Sequence, residues 1–140
     1  MNHGHIICRF AALPFVCRLK GEEIIMAKYI LMLRDHGTYE GLSAEEMQKI
    51  IGRYRAWSGK LRETGKIVSG EKLRDRQGRV MKRSGSNLAV TDGPFAEAKE
   101  IIGGFYVLEA KGYEEALSLA KDCPHLEFGT IEVREIEPMS

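Results

Sequence analysis

The chain has 140 residues, of which 44% are hydrophobic and 29% charged, so it is long enough for one domain with a real core and too short for two comfortable ones. Its 21 basic and 20 acidic residues leave a net charge of +1. This balance argues against direct binding of nucleic acid, which normally requires a basic excess or a basic stripe. No apolar run approaches the roughly 20 residues that cross a bilayer. The three widely spaced cysteines, Cys8, Cys17 and Cys123, favour a reducing compartment, and hence a cytoplasmic location, over a disulfide scaffold.

Residues 1–25 differ in character from the rest of the chain. Met26 stands immediately before the first regular apolar run, and the codons for residues 20–22 can contain a purine-rich ribosome-binding sequence upstream of it. We therefore predict that residues 1–25 are a disordered extension or the product of a mis-called start codon, and that residues 26–140 form the domain. The four potential metal ligands of this segment match no closed zinc pattern: His3, His5, Cys8 and Cys17.

The first strand and the first helix are predicted from local patterns. Residues 29–33 are apolar and lead into charged residues and Gly37, which is typical of a buried strand that leaves a sheet. Ser43 and Glu46 have the spacing of a capping box, and Gly65 is suited to end the helix that the box begins. Apolar residues recur between them at the three-and-four spacing of one helical face. The predicted inner face consists of Met47, Ile50, Ile51, Tyr54, Trp57 and Leu61.

The remaining elements are predicted from turn composition and alternation. Residues 67–73 and 79–82 flank a turn-like segment at 75–78, so we predict that they pair as a hairpin. Residues 87–91 form a short strand that leads to Asp92. Three elements follow: a strand over 104–109, a helix over 112–121 with Tyr113, Ala116, Leu117 and Ala120 on its inner face, and a strand over 130–136.

This order of elements predicts an α+β fold of the ferredoxin-like βαββαβ type with an inserted hairpin. Two helices cover only one face of such a sheet, so the second face must be buried by something else or left wet. Alternation in the last strand predicts that Ile131 and Val133 face the helices, whereas Glu132 and Arg134 face away from them. We place Tyr106 on this second face as well. A cavity between two such sheets would suit this mixture of apolar and charged side chains.

Several motifs together resemble the YCII-related family, and in particular its DGPF subgroup. The resemblance covers nearly all of residues 26–138 and is most specific at 92–105, which begins with Asp92-Gly93-Pro94-Phe95. The other motifs are the apolar run at 29–33, the helix start at 42–47, and Pro124 with 129–134. The resemblance implies a dimeric α+β barrel, in which two ferredoxin-like protomers pack sheet against sheet, and a family-level link to extracytoplasmic-function (ECF) sigma factors.

The active site proposed for some shorter YCII proteins does not carry over. Those proteins are thought to use a histidine in the first helix with an aspartate before a proline near the last strand. In this chain Arg53, Tyr54 and Arg55 occupy the corresponding part of the helix, and Cys123 precedes Pro124. A histidine–aspartate dyad is therefore absent from these positions.

Three acidic residues and one arginine are candidates for ligand contact. Asp92 suits an Asx turn before Pro94, and the alternative is a carboxylate at a cavity mouth that binds a cation or acts as a base. Glu97 is a less constrained candidate of the same kind. Glu132 and Arg134, two apart on one strand face, must pair, meet a ligand or meet a partner subunit, and Arg134 could hold a carboxylate or phosphate in a bidentate fork.

The histidines and the remaining residues complete the set of candidates. His36 and His125 could act as acid or base near neutral pH, although a loop histidine in water is the commoner case. Cys123 is more typical of a small buried apolar group than of a nucleophile. Tyr54 and Trp57 fit the core stripe of the first helix. The Gly103-Gly104 pair indicates a bulge or a close backbone approach.

Three functions follow from these observations. The first is a homodimeric small-molecule-binding protein whose site lies in the inter-sheet cavity. The second is an enzyme without a cofactor or metal that carries out proton transfer, as an isomerase or lyase does, on a small metabolite. The third is a dimeric accessory protein of an ECF sigma factor. The residues expected to meet a ligand are Glu132, Arg134, Tyr106, Asp92 and Glu97.

Overall fold

The computed structural model describes residues 16–19, 22–94 and 100–139. The strands in chain order are β1 (Val16–Leu19), β2 (Glu22–Ile25), β3 (Ala27–Asp35), β4 (Ile67–Lys72), β5 (Gly78–Ser84), β6 (Asn87–Gly93), β7 (Ile101–Ala110) and β8 (Gly129–Ile136). The helices are α1 (Ala44–Glu63), α2 (Tyr113–Ala120) and a 3₁₀ helix at Pro124–Glu127.

The central sheet has four strands in the order β4-β7-β3-β8, and each neighbouring pair is antiparallel. Helix α1 lies between β3 and β4 in the chain, and α2 lies between β7 and β8. This is the strand order of a ferredoxin-like domain, so the predicted α+β class and βαββαβ pattern are confirmed.

Both ends of α1 are specified by local sequence. The Ser43 hydroxyl accepts the Glu46 N–H at 3.2 Å, and the Glu46 carboxylate accepts the Ser43 N–H at 2.8 Å, which completes the predicted capping box. At the other end Gly65 has φ +71°, a conformation that costs glycine little. Its N–H donates to the Arg62 carbonyl and the Lys66 N–H to the Leu61 carbonyl, the two bonds of a Schellman motif.

The predicted pairing of residues 67–73 with 79–82 is wrong. Strand β4 pairs with β7 in the central sheet, and β5 pairs with β6 in a separate two-stranded sheet. The hairpin turns at Gly85 and Ser86, where Gly85 has φ +61°. A two-residue loop with glycine in the left-handed region matches the twist of paired strands. The hairpin therefore forms at this turn and not at the segment 75–78.

The core lies between the sheet and the helices. Its largest cluster of buried residues includes Leu31, Trp57, Ile67 and Leu108, with Tyr106, Ile131 and Val133 packed against it. The register aligns Leu31 with both Tyr106 and Val133, so these three side chains share the helix-covered face. Placing Tyr106 on the second face was therefore wrong, because the phase of β7 is decided by its register with β3.

Helix α2 also differs in part from its prediction. Ala116 and Ala120 are buried as expected, but Leu117 is 53% exposed and points away from the core. Tyr113 is also exposed in part, although its ring packs edge-on against the Tyr29 ring with centroids 4.9 Å apart. Leu119 packs against the core beside Ala120, so the inner face of α2 is rotated relative to the predicted one and leaves Leu117 outside it.

The other face of the central sheet carries Ile30, Met32, Phe105 and Val107, all partly exposed. Glu132 is paired in register with Met32, and Arg134 with Ile30. The prediction that Glu132 and Arg134 point away from the helices is therefore confirmed. The described residues leave this surface, here called the open face, apolar at its centre and charged at its edge.

Part of the predicted N-terminal extension is described. Strands β1 and β2 pair with each other in a separate two-stranded sheet. The rest of the segment, including His3, His5 and Cys8, lies outside the described residues, and the mis-called start stays a prediction. Within the described part of the chain, no helix is long and apolar enough to span a membrane.

An ion pair connects α2 to the segment that follows α1, and it predicts that the stability of the fold depends on pH. The Lys66 ammonium lies 2.5 Å from the Glu115 carboxylate, which also accepts the Lys111 N–H at 2.8 Å. Burial acts to raise the pKa of Glu115, but these hydrogen bonds outweigh burial and leave the pKa below its ordinary value of 4.5. Because the folded-state pKa is lowered, the stabilisation is present above pH 4.5 and is lost as the pH falls through the folded-state value.

We expect Glu115→Gln to reduce the free energy of unfolding by about 1 kcal/mol at pH 7 and by much less at pH 3. Urea unfolding at both pH values measures the difference. Glu114→Gln is the matched control, since Glu114 is also in the first turn of α2 but is exposed. An equal loss for Glu115→Gln at the two pH values would contradict the assignment.

Candidate functional site

A cavity of about 320 Å³ lies on the helix-covered side of the sheet, between α1 and the ends of β3, β4 and β7. Glycines make room for it. A Cβ at Gly70 would clash with the Tyr106 ring, and one at Gly103 would lie 2.7 Å from the Asp35 carboxylate. The cavity has an apolar wall, a hydroxyl-bearing end and several charged groups at its border. Its lining includes Leu33, Met47, Ile50, Ile51, Tyr39, Tyr54, His125, Asp35, Ser58, Arg55, Arg62, Glu71, Lys72, Asp75 and Tyr106.

Three side chains form a hydrogen-bonded chain at one end of this cavity. The Tyr39 hydroxyl lies 2.8 Å from the Tyr54 hydroxyl, which lies 2.9 Å from His125 Nδ1. On the other side of the ring, His125 Nε2 lies 2.8 Å from the Arg34 carbonyl oxygen. We call these three side chains the Tyr–Tyr–His chain.

When the imidazole is neutral, the Arg34 carbonyl sets the direction of the hydrogen bond between Tyr54 and Nδ1, an atom that the Tyr39 hydroxyl also approaches to 3.4 Å. A carbonyl oxygen only accepts, so Nε2 must carry a proton. In the neutral imidazole Nδ1 is then an acceptor, and Tyr54 donates to it. The Tyr54 oxygen in turn accepts from Tyr39. Each hydroxyl proton of the chain is therefore already donated within the protein.

Burial keeps the two tyrosines of this chain uncharged. His125 is only 1% exposed, and it is the second residue of the 3₁₀ helix, after Pro124. Burial raises the pKa of Tyr54 far above its ordinary value. Burial likewise raises the pKa of Tyr39. Both phenols are therefore neutral near pH 7.

Two contacts hold the 3₁₀ helix, and thus His125, in place. The Arg53 guanidinium of α1 donates two hydrogen bonds to the Glu127 carboxylate. Gly129 follows the 3₁₀ helix and packs directly beneath the Arg34 carbonyl group. These contacts join α1, β3 and the 3₁₀ helix around the imidazole.

Asp35 also lines the cavity. It is buried at the end of β3, and its carboxylate accepts the Gly37 N–H at 2.8 Å. The register of β3 and β7 shifts here, with Leu33 opposite Gly104 and Arg34 opposite Ile102. The predicted bulge at Gly103-Gly104 is therefore confirmed, and it opens space beside Asp35.

Of the residues predicted to form a site, the structure brings His125 and Tyr106 to the cavity. His125 is at its polar end, within the Tyr–Tyr–His chain. Tyr106 lies against Trp57 in an edge-on contact, with ring centroids 5.1 Å apart. Cys123, next to this region, is buried in the core, and burial raises the pKa of its thiol to about 11, so its interpretation as a small apolar group is confirmed.

The other predicted residues do not line this cavity. Asp92 is 91% exposed on the β5–β6 hairpin, where its carboxylate lies 3.1 Å from Arg79. An Asx turn to Pro94 is not formed, because proline has no N–H to donate. His36 is on an exposed loop, 3.6 Å from Glu100. Glu97 lies outside the described residues.

Glu132 and Arg134 are on the open face, across the sheet from the cavity. Glu132 forms an ion pair with Arg34 at 2.6 Å. Arg34 Nε is buried without a hydrogen-bond partner in the described part of the chain. Arg134 is exposed, and we find no ion pair for it among the described residues.

Sequence reasoning did not place Tyr39, Tyr54 and Asp35 at a cavity, where the structure has them. Tyr54 fits the apolar stripe of α1 so well that it was assigned to the core alone. A signal did exist, since Tyr54 and His125 come from the two segments in which the family resemblance implied a polar dyad. Tyr39 lies in a loop without a motif. Among residues 16–19, 22–94 and 100–139, no three histidine, cysteine or acidic side chains cluster as metal ligands do.

A family model identifies the kind of domain, and two further proteins are similar to this chain. The family model of the YCII-related domain matches residues 27–140. An uncharacterized protein of Rhizobium meliloti (strain 1021) is 30% identical over 110 residues, which cover 76% of this chain and 89% of that protein. Among solved structures, 5-chloro-2-hydroxyhydroquinone dehydrochlorinase from Burkholderia phenoliruptrix AC1100, in complex with 2,5-dihydroxybenzoquinone, is 19% identical with a TM-score of 0.43. The match covers 79% of this chain and 93% of that one.

Proposed function

This chain belongs to the YCII-related family, and we propose that it is a homodimeric protein that binds a small metabolite in the cavity beneath α1. The observation that carries the proposal is the convergence of the Tyr–Tyr–His chain and an apolar wall on one concave space. Sites for small molecules are concave and mostly apolar, with a few placed polar groups that orient the ligand. The cavity of about 320 Å³ is within their usual range of size.

Dimer formation is proposed from the open face. Ile30, Met32, Phe105 and Val107 form a contiguous apolar surface, and monomeric proteins rarely leave such a surface in water. A second copy of the chain would cover it. Glu132 and Arg134 would then lie at the contact, either as an ion pair across the dimer or beside a ligand between the sheets. Sedimentation at micromolar concentration tests this, since a stable monomer would remove the proposal.

Proton transfer is the second candidate function, and the direction of the Tyr–Tyr–His chain favours it. If a ligand gives a proton to the Tyr54 oxygen while the Tyr54 proton moves to His125 Nδ1, the tyrosine ends neutral and the imidazole becomes charged. The Arg34 carbonyl already accepts from Nε2 and would stabilise that charge. Reversal of these steps at another ligand atom would complete an isomerisation or an elimination.

The family link to an ECF sigma factor and the cytoplasmic location stay predictions. No described contact favours a regulatory partner over a second copy of the chain.

A thermal-shift screen of metabolites, repeated with Ile51→Trp, tests whether the cavity binds a ligand. A ligand at a hundred times its dissociation constant should stabilise the protein by about 2.7 kcal/mol. We expect Ile51→Trp to abolish the shift by filling the cavity, whereas Leu88→Trp on the exposed hairpin should retain it. Retention of the shift in Ile51→Trp, with loss in Arg134→Gln, would move the site to the open face.

Tyr54→Phe separates binding from catalysis. Ligands found in the screen are incubated with the protein in D₂O, and NMR measures the exchange of their protons for deuterium. We expect Tyr54→Phe to slow this exchange about 100-fold or more, because general acid–base groups contribute 10²–10⁴-fold. If ligands bind the wild type but none of their protons exchange, the proposed binding function stands and the proposed enzymatic function is contradicted.

A further inference from the structure

Two arginines of α1 border the cavity, and neither has an ion-pair partner in the described part of the chain. Arg55 and Arg62 both line it, and neither forms an ion pair among residues 16–19, 22–94 and 100–139. They are seven residues apart, which is about two helical turns, so their side chains leave the same face of the helix. Ser58 lies between them on that face.

The acidic groups of the lining do not neutralise both arginines. Asp75 is held by Lys72 at 2.7 Å. Asp35 is buried and accepts the Gly37 N–H. Glu71 is exposed and has no ion pair in the described part of the chain. The α1 side of the cavity therefore presents two guanidinium groups, the groups best suited to bind an oxyanion in a bidentate fork.

The Tyr–Tyr–His chain, which also lines the cavity, selects for a different group. Tyr39 donates to Tyr54, and Tyr54 donates to His125, so neither hydroxyl proton is free for a ligand. What remains at this end are lone pairs on the two phenol oxygens, which accept hydrogen bonds. A ligand group that fits here must therefore be a donor, such as a hydroxyl.

We infer that the ligand is a hydroxy acid with an apolar body. Its oxyanion would bind Arg55 and Arg62, its body would lie against Leu33 and the α1 side chains Met47, Ile50 and Ile51, and its hydroxyl would donate to the Tyr–Tyr–His chain. This inference rests on the proposed function, because it names the class of molecule that the same cavity binds.

Three matched probes test the two polar ends separately. 4-Hydroxybenzoate has both groups, 4-hydroxybenzamide lacks the negative charge, and 4-methoxybenzoate lacks the hydroxyl donor. Each is titrated into the full ¹⁵N-labelled chain, and amide shifts measure both affinity and location. We expect 4-hydroxybenzoate to shift amides of α1 and of the 3₁₀ helix and to bind roughly tenfold more tightly than either analogue.

The variant Arg55→Gln/Arg62→Gln should reduce the affinity for 4-hydroxybenzoate by roughly 10- to 100-fold and leave that for 4-hydroxybenzamide unchanged. Both positions are exposed, and glutamine is a good helix former, so the fold should be retained. Arg83→Gln, an exposed arginine on the β5–β6 hairpin, is the control and should bind as the wild type does.

Equal binding of 4-hydroxybenzoate and 4-hydroxybenzamide would overturn the anion assignment, and equal binding of the methoxy analogue would overturn the hydroxyl assignment. Failure of 4-hydroxybenzoate to shift any cavity amide would overturn the inference as a whole. The proposed function would survive these results if Ile51→Trp still abolishes binding of an uncharged metabolite found in the screen. The proposed function fails separately if Ile51→Trp does not reduce the binding of any metabolite found in the screen.

Discussion

His125→Ala is expected to lower the free energy of unfolding by about 4 kcal/mol. The side chain is 1% exposed, so its removal leaves a cavity next to the core. It also leaves two polar groups without their partner, the Arg34 carbonyl and the Tyr54 hydroxyl. Each unsatisfied buried group costs about 1–3 kcal/mol in addition to the lost packing. Urea unfolding followed by the fluorescence of Trp57, the one tryptophan of the chain, measures the loss.

Two further variants identify the source of this effect. His125→Gln keeps a donor near the position of Nε2 and should lose about half as much, because the Arg34 carbonyl can remain paired. His36→Ala removes a histidine from an exposed loop and should change stability by less than about 0.5 kcal/mol. If His125→Ala lowered the free energy of unfolding no more than His36→Ala does, the Tyr–Tyr–His chain would not contribute to stability.

Gly129→Ala is expected to cost about 3 kcal/mol, although it adds a single methyl group. A Cβ at this position would overlap the Arg34 carbonyl oxygen and lie 3.0 Å from His125 Nε2. The obstacle is backbone in the adjacent strand, which cannot rotate away as a side chain does, so β3 and β8 would have to separate locally. The same displacement moves the carbonyl that orients His125. We therefore expect the variant to lose both stability and ligand binding.

Gly52→Ala is the matched control for this substitution. Gly52 is within α1, and a Cβ there would meet no atom within 4 Å. Alanine in a helix interior is more favourable than glycine by about 0.5–1 kcal/mol, so this variant should be more stable than the wild type. Chemical denaturation of the two variants side by side should show changes of opposite sign. A shared sign would mean that the contact at Gly129 is not the cause.

Elements whose signals are local were predictable. The capping box at Ser43 and the glycine at Gly65 mark both ends of α1, since each works through bonds to residues within a few positions. The alternation of Ile131 and Val133 with Glu132 and Arg134 likewise follows from the geometry of a single strand. From such elements the ferredoxin-like order could be derived without coordinates.

Pairing between distant segments was not predictable in the same way. Strand β4 pairs with β7, more than thirty residues later, and nothing within residues 67–73 identifies that partner. The phase of Tyr106 depended on the register of β7 with β3, and a shift of one residue moves a side chain to the other face of the sheet. Both predictions failed where the decisive contact was long-range.

For the site, the chain alone determined which side chains are able to carry chemistry, and His125 was among them because an imidazole ring can both donate and accept a proton. Tertiary structure alone decided that Tyr54, an apparent core residue, donates to that imidazole, and that Glu132 and Arg134 lie across the sheet from it. The physical reason is that residue type limits what a group can donate or accept, whereas the direction of a hydrogen bond depends on which groups the fold brings within 3 Å.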